Sequence, residues 1–349
     1  MRLLVTGGAG FIGSAVVRHF VAKGHEVLNF DKLTYAGDLR TVRDCEGERN
    51  YRFVQADILD REAVSRAFAH FEPECVMHLA AESHVDRSID APATFIQTNL
   101  VGTSVMLDTA LEYWRRRDTT FQEQFRFLHV STDEVYGSLG DQGRFEETTP
   151  YAPNSPYSAS KAGSDHLVRA WQRTYGLPVI IANCSNNYGP FQNPEKLIPT
   201  VIRTATHGEL IPVYGKGENI RDWLYVEDHV RALEALISRG RLGEKYNVGG
   251  DTELRNIDLV QLLCRTLDEE SPRADGRPYA EQVSFVTDRP GHDFRYAISA
   301  DKLKAETGWE PVESGESGLR KTVLWFLRNR EWLDGTGESR RRIGLGRAG

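Results

Sequence analysis

Arg2-Leu3-Leu4-Val5-Thr6-Gly7-Gly8-Ala9-Gly10-Phe11-Ile12-Gly13 runs from a β-rich stretch through a glycine turn into a helical pattern. Gly7, Gly10 and Gly13 form G-x-x-G-x-x-G. Glycine at these places permits a tight turn, close backbone approach to a pyrophosphate, and tight helix–strand packing. The helix that follows presents free N–H groups and a positive dipole end to phosphate. A second strand, Glu26–Phe30, is followed at once by Asp31. A carboxylate there accepts hydrogen bonds from an adenosine ribose and repels a 2′-phosphate, so the expected cofactor is NAD and not NADP.

Outward from this turn, strands and helices alternate. Tyr51–Gln55, Cys75–Leu79, Phe125–Val130 and Val179–Ala182 read as further strands. Ile12–Lys23 and Arg61–Phe71 read as helices. Near-continuous apolar strands separated by helices predict a parallel sheet covered on both faces. The expected class is α/β: a Rossmann doubly wound parallel sheet with a smaller C-terminal substrate-binding α/β region. Residues 1–185 should form the NAD-binding domain, with later segments returning to it. Residues 186–334, where Gly and Pro interrupt the helices, should mainly bind substrate, and 335–349 read as a flexible tail.

Composition narrows the function. With 43 basic and 50 acidic residues the formal net charge is −7, which argues against a nucleic-acid or membrane-surface partner. Four dispersed cysteines (Cys45, Cys75, Cys184, Cys264) fit reduced thiols better than a disulfide frame or a metal site. No window reaches the roughly 18 apolar residues of a membrane span, and no signal peptide is evident. A cytoplasmic enzyme with no metal is expected.

Tyr157-Ser158-Ala159-Ser160-Lys161 places a phenol and an ammonium four residues apart at the start of a helical stretch. Residues i and i+4 share a helix face, so Lys161 should lower the Tyr157 pKa from about 10 toward the working range. Ser131 ends a hydrophobic strand, and Thr132-Asp133-Glu134 follow it. Adjacent carboxylates push their pKa values apart, which suits one acid and one base, provided the backbone turns so that both face one way. Asp57 follows the third strand, a common place for a helix N-cap.

Thr6–Gly13, Asp31, Ser131 and Tyr157/Lys161 together resemble the extended short-chain dehydrogenase/reductases that act on nucleotide sugars. The sugar-nucleotide 4,6-dehydratases, those for dTDP-glucose above all, are most similar. The matching stretches are Asp31–Gly37, Ala81–Ser88, Ser131–Gly137, Ser185–Pro190, Arg221–Val226 and Asp288–Asp293. This resemblance implies NAD contacts from Gly7, Gly10, Phe11, Ile12, Gly13, Asp31, Lys32, Leu33, Thr34, Asp57 and Ile58. It adds Leu79, Ala80, Ala81, Ser83, Thr98, Ser131, Tyr157, Lys161 and Asn187. It implies nucleotide-sugar contacts from Ser83, Thr132, Asn186, Lys196, Leu197, Pro212, Val213, Tyr214, Arg221, Asn256, Asp288, Arg289, Pro290, Gly291 and His292. Arg221 and Arg289 are the expected diphosphate partners.

The implied chemistry assigns five catalytic residues. Tyr157, with Lys161, takes the proton of the carbon-4 hydroxyl as hydride leaves for NAD. Thr132 holds the resulting ketone, Glu134 removes the carbon-5 proton, and Asp133 protonates the departing carbon-6 hydroxyl. A homodimer is implied through Asn99–Trp114 and the helix running from Tyr157 to Tyr175. Two other functions compete. Within the family, a 4-epimerase would not need the Asp133-Glu134 pair, and a decarboxylase would need substrate-carboxylate recognition, for which no clear candidate is seen. A non-catalytic NAD sensor would commonly lose the Tyr/Lys pair.

Overall fold

Residues 1–288 and 292–334 are described by the computed structural model. Arg289, Pro290, Gly291 and the basic tail from 335 onward, all singled out above, lie outside the described residues. Seven strands build the main sheet: β1 (Arg2–Thr6), β2 (Glu26–Asp31), β3 (Tyr51–Gln55), β4 (Cys75–His78), β5 (Arg126–Thr132), β6 (Val179–Cys184) and β10 (Lys245–Val248). Their order is β10-β6-β5-β4-β1-β2-β3, with every pairing parallel. This is a Rossmann α/β fold. The order reverses between β1 and β4, and ligands of such sheets bind in the crevice outside the strand ends at that switch point.

Both faces of the sheet are covered, which explains why its strands are apolar without alternation. On one face lie α1 (Phe11–Ala22) and a helix over Val226–Arg239. On the other lie α2 (Arg61–Phe71), α3 (Thr103–Arg115) and α4 (Pro156–Tyr175). Each end of α4 is specified locally. Ser155 and Ser158 form a reciprocal cap, Pro156 occupies the first turn, and Gly176 adopts φ +78° just past the end. Tyr157, Lys161 and Asp165 therefore share the inward face of one helix.

Between β6 and β10, and again after β10, the chain leaves the sheet and builds a second core. There Ile198, Val201 and Ile202 pack on Leu259, Leu263 and Phe326. Small sheets support it: β7 (Asn186–Tyr188) and β11 (Glu253–Arg255) flank β9 (Ile220–Tyr225), and β8 (Ile211–Tyr214) pairs with β12 (Val283–Val286). All four cysteines are buried and unpaired. No helix among the described residues is long and apolar enough to cross a membrane.

One helix departs from the sequence expectation. Residues 96–102 are wound as a π-helix, and α-geometry resumes only at Thr103. The Asn99 side chain accepts from the Glu82 amide at 2.9 Å and donates to the Glu82 carbonyl at 3.0 Å and to Ser160 at 2.8 Å. The wider turn thus ties the loop after β4 to α4. Single π-turns of this kind concentrate at functional sites.

Candidate active site

The crevice at the switch point encloses about 520 Å3 and runs from the glycine turn to the second core. Its floor is the turn itself. A Cβ on Gly13 would come 2.0 Å from the Gly7 carbonyl oxygen, and one on Gly7 would come 2.8 Å from the Ala80 backbone. Gly10 begins α1 without a side-chain cap, so the first-turn amides have no protein acceptor from that source. This cradle, too narrow for any side chain and rich in free donors, fits a pyrophosphate. Gly13→Ala should therefore empty the site. The purified variant is expected to carry little bound NAD by its absorbance ratio and to melt earlier, since backbone must shift to admit the methyl. Wild-type NAD content in that variant would exclude the cradle.

Asp31 stands at the far wall, its carboxylate accepting from the Ala9 amide at 2.9 Å and the Leu33 amide at 2.7 Å. Burial pushes its carboxyl pKa up, and these two amides oppose the rise. Lys32, Thr34, Ile58, Leu79, Ala80, Ala81, Ser83, Thr98 and Asn187 also line the crevice. Asp57 does so too, but it is not the cap of α2. Asp60 takes that place, accepting from the Ala63 amide at 3.0 Å, while Asp57 pairs with Lys32 at 2.6 Å. Leu33 does not reach the lining. Its backbone adopts φ +60°, and its amide serves Asp31 instead.

At the centre, β5 ends at Thr132 and a single 3-10 turn starts at Asp133. Thr132 caps that turn. The change from strand to turn stops Asp133 and Glu134 from pointing to opposite faces, so both line the crevice. Asp133 is 1 % exposed, with one carboxyl oxygen unpartnered and the other accepting from Thr132 Oγ1 at 3.3 Å. Burial first, then Glu134 and Asp222, push its pKa well above the carboxylate range. A buried carboxyl group with a raised pKa, aimed into a cavity, is suited to give a proton to a leaving group.

Tyr157 and Lys161 both line the crevice, but the expectation for the phenol is reversed here. Burial, followed by Glu134, pushes Tyr157 above its ordinary value. The Lys161 ammonium instead donates to the Val130 carbonyl at 2.9 Å. Ser131, also in the lining, donates to Asp165 at 2.9 Å.

The second core supplies the other wall. Asn186, Lys196, Leu197, Pro212, Tyr214, Arg221, Asn256 and His292 line it. Asn186 and Asn256 each hold a buried carbonyl oxygen with no partner, so the wall offers acceptors to an incoming ligand. Arg221 is buried over the Tyr296 ring at 4.2 Å and donates to the Asp293 carbonyl at 2.9 Å. Val213 is not in the lining, because strand side chains alternate: Pro212 and Tyr214 face the crevice and Val213 packs into the core. Asp288 stays outside the lining as well, pairing with His292 at 2.7 Å.

Tyr35, His84 and Glu195 of the lining, and Arg87 that contacts them, escaped the sequence reading. Glu195 accepts from Arg87 at 2.9 Å and approaches His84 at 3.3 Å, and the Arg87 guanidinium lies 3.7 Å over the Tyr35 ring. This clamp joins the two halves of the crevice across more than a hundred residues of sequence. Its only local signal was position: Tyr35 and Arg87 fall inside the matching stretches, and Glu195 precedes Lys196. Among the described residues no group of three or more His, Cys, Asp or Glu is placed to hold a metal ion.

Residues 4–322 match the family described as GDP-mannose 4,6-dehydratase. A probable dTDP-glucose 4,6-dehydratase of Sinorhizobium fredii is 61% identical over 332 residues, covering 95% of this chain and 94% of that protein. A dTDP-glucose 4,6-dehydratase of Escherichia coli K12 is 56% identical over 344 residues, covering 96% and 95%. Among solved structures, the dTDP-glucose 4,6-dehydratase of Streptomyces venezuelae with NAD and dTDP bound superposes with a TM-score of 0.87. It is 43% identical and covers 95% of this chain and 98% of that one. The Bacillus anthracis enzyme in complex with NAD gives 0.85 at 42% identity, covering 96% and 99%.

Proposed function

Because the chain belongs to the GDP-mannose 4,6-dehydratase family of extended short-chain dehydrogenase/reductases, we infer that it dehydrates dTDP-glucose to dTDP-4-keto-6-deoxyglucose. It is an NAD-dependent lyase of deoxysugar biosynthesis. The observation that carries this reading in the site is the buried Asp133, its pKa raised, beside Glu134 in the crevice lining. A 4-epimerase moves a hydride and returns it, and needs no such pair.

NAD, when bound, would supply the hydride acceptor for carbon 4 and the hydride donor for carbon 6. The turn from Gly7 to Gly13 would hold its pyrophosphate, and Asp31 would receive its ribose hydroxyls. The chain's own residues do the rest. Tyr157 takes the proton of the carbon-4 hydroxyl, and Thr132 donates a hydrogen bond to the ketone that forms. The ketone acidifies carbon 5, Glu134 takes that proton, and Asp133 protonates the carbon-6 hydroxyl as it departs as water. Glu134 returns its proton to carbon 5 as the 4-keto-6-deoxy sugar is completed. The oxidation and the reduction cancel, so the cofactor is recycled.

On the nucleotide side, Arg221, Lys196, Asn186 and Asn256 are the diphosphate and base partners. The protein pairs as a homodimer through α3 and α4. Exposed Ile96, Val101 and Tyr175, on the segment leading into α3 and at the end of α4, support this. It works in the cytoplasm. Sedimentation at micromolar concentration tests the pairing, and a lone 39.4 kDa species would refute it. The reaction is tested by supplying dTDP-, UDP- and GDP-hexoses without added NADPH. Conversion of dTDP-glucose to a product absorbing in alkali is expected, and failure on every nucleotide-hexose would sink the function.

A further inference from the structure

Asp165 lies one helical turn beyond Lys161 on the inward face of α4, with its side chain 1 % exposed. Four groups converge on its carboxylate, two of them from β5, one from β6 and one from the loop before α4. Ser131 Oγ of β5 donates at 2.9 Å, and the Tyr151 hydroxyl, from the loop before α4, at 2.8 Å. Asn183 Nδ2 of β6 donates at 3.1 Å, and His129 Nε2 stands 3.2 Å away. The same Asn183 amide reaches the Thr132 carbonyl at 3.3 Å, so one amide separates Asp165 from the catalytic end of β5. A carboxylate this deep, and this well supplied with donors, is not there by default.

We propose that Asp165 is a positioning residue that keeps Lys161 in its charged form and anchors the strand end bearing Ser131 and Thr132. The proposal rests on the catalytic reading of Lys161 given above. Lys161 is buried, and its ammonium meets a carbonyl, not a carboxylate, so only a charge nearby in a poorly screening interior can offset its desolvation. Burial pushes Lys161 down, and Asp165 is the largest influence opposing that fall. Other groups cannot replace it. Burial drives His129 down to about 4 and His78 well below its usual value, so both stay neutral. Burial pushes the Cys184 thiol of β6 up to about 12. Behind Asp165, Lys245 lies 4.3 Å over the Tyr151 ring and 4.9 Å over Tyr136, with Glu147 as a second carboxylate on that side. Burial pushes Asp165 up, but hydrogen bonds from His129 and Ser131 and the Lys161 ammonium hold it below its usual value.

The test is Asp165→Asn, with Asp165→Glu as the conservative partner. Loss of the carboxylate lowers the Lys161 pKa, so the alkaline limb of kcat should move about one pH unit downward or more. At pH values above the wild-type limb kcat should fall roughly tenfold relative to wild type, recovering toward lower pH, and D165E should regain most of it. An unchanged limb, or a loss equal at every pH, would overturn the proposal. A readout independent of turnover is the NMR titration of ε-13C-lysine, with the Lys161 signal identified by its absence in K161M. A Lys161 pKa in D165N equal to that of the wild type refutes the charge role even if no nucleotide sugar is converted. Should D165N fail to fold, removal of the unpaired ammonium in D165N/K161M should restore folding. A double variant no more stable than D165N overturns the idea.

Discussion

Asp133→Asn is expected to stop the reaction halfway, leaving oxidised sugar and reduced cofactor together in the site. The side chain is buried in surroundings that disfavour its charge, so a neutral amide of the same shape should cost little stability. What it cannot do is give a proton to the departing carbon-6 hydroxyl. Tyr157, Thr132 and Lys161 are untouched, so oxidation at carbon 4 proceeds. Stopped-flow absorbance at 340 nm should show NADH that forms and persists, while steady-state kcat falls by about 10²–10⁴, the usual worth of a positioned general acid. A variant turning over within a few-fold of wild type, with no NADH signal, would place the acid elsewhere.

Tyr157→Phe should fail one step earlier. The ring packs edge-on to Phe95 at 6.3 Å, and a phenylalanine keeps that contact, so the fold should survive. Without the hydroxyl nothing accepts the carbon-4 proton, and kcat should drop by at least about 10²–10⁴ with no NADH at any time. The two variants thus separate by a single trace: reduced cofactor accumulates in D133N and never appears in Y157F. NADH formation by Y157F at a wild-type rate would remove Tyr157 from the proton-accepting role.

The phenol also shows where a local argument breaks down. From sequence, Lys161 at i+4 should lower the Tyr157 pKa. In the structure the ammonium turns to the Val130 carbonyl, and burial with Glu134 raises the phenol instead. Shared helix face is a local property, but the direction of a long flexible side chain depends on what lies beyond it. Val213 is a second case. Its neighbours Pro212 and Tyr214 line the crevice and it does not, because a resemblance along the chain carries no information about strand phase.

By itself, the sequence determined those features whose physics is short-ranged. The apolar runs, the glycine turn, the Asp31 at the end of β2 and the Ser-Pro start of α4 each need only neighbouring residues to be understood. All of these are found where their local chemistry put them. The adjacency of Asp133 and Glu134 was equally legible, though not the 3-10 turn that lets them face one cavity. Tertiary structure alone decided the rest. Asn99 finds Glu82 and Ser160, Glu195 finds Arg87, and Asp165 gathers Ser131, Tyr151, Asn183 and His129. These contacts join residues up to 108 positions apart, and their polar partners are stabilised only once packing excludes water. No periodicity or spacing records such a meeting, because it exists only after the sheet has brought its strand ends together.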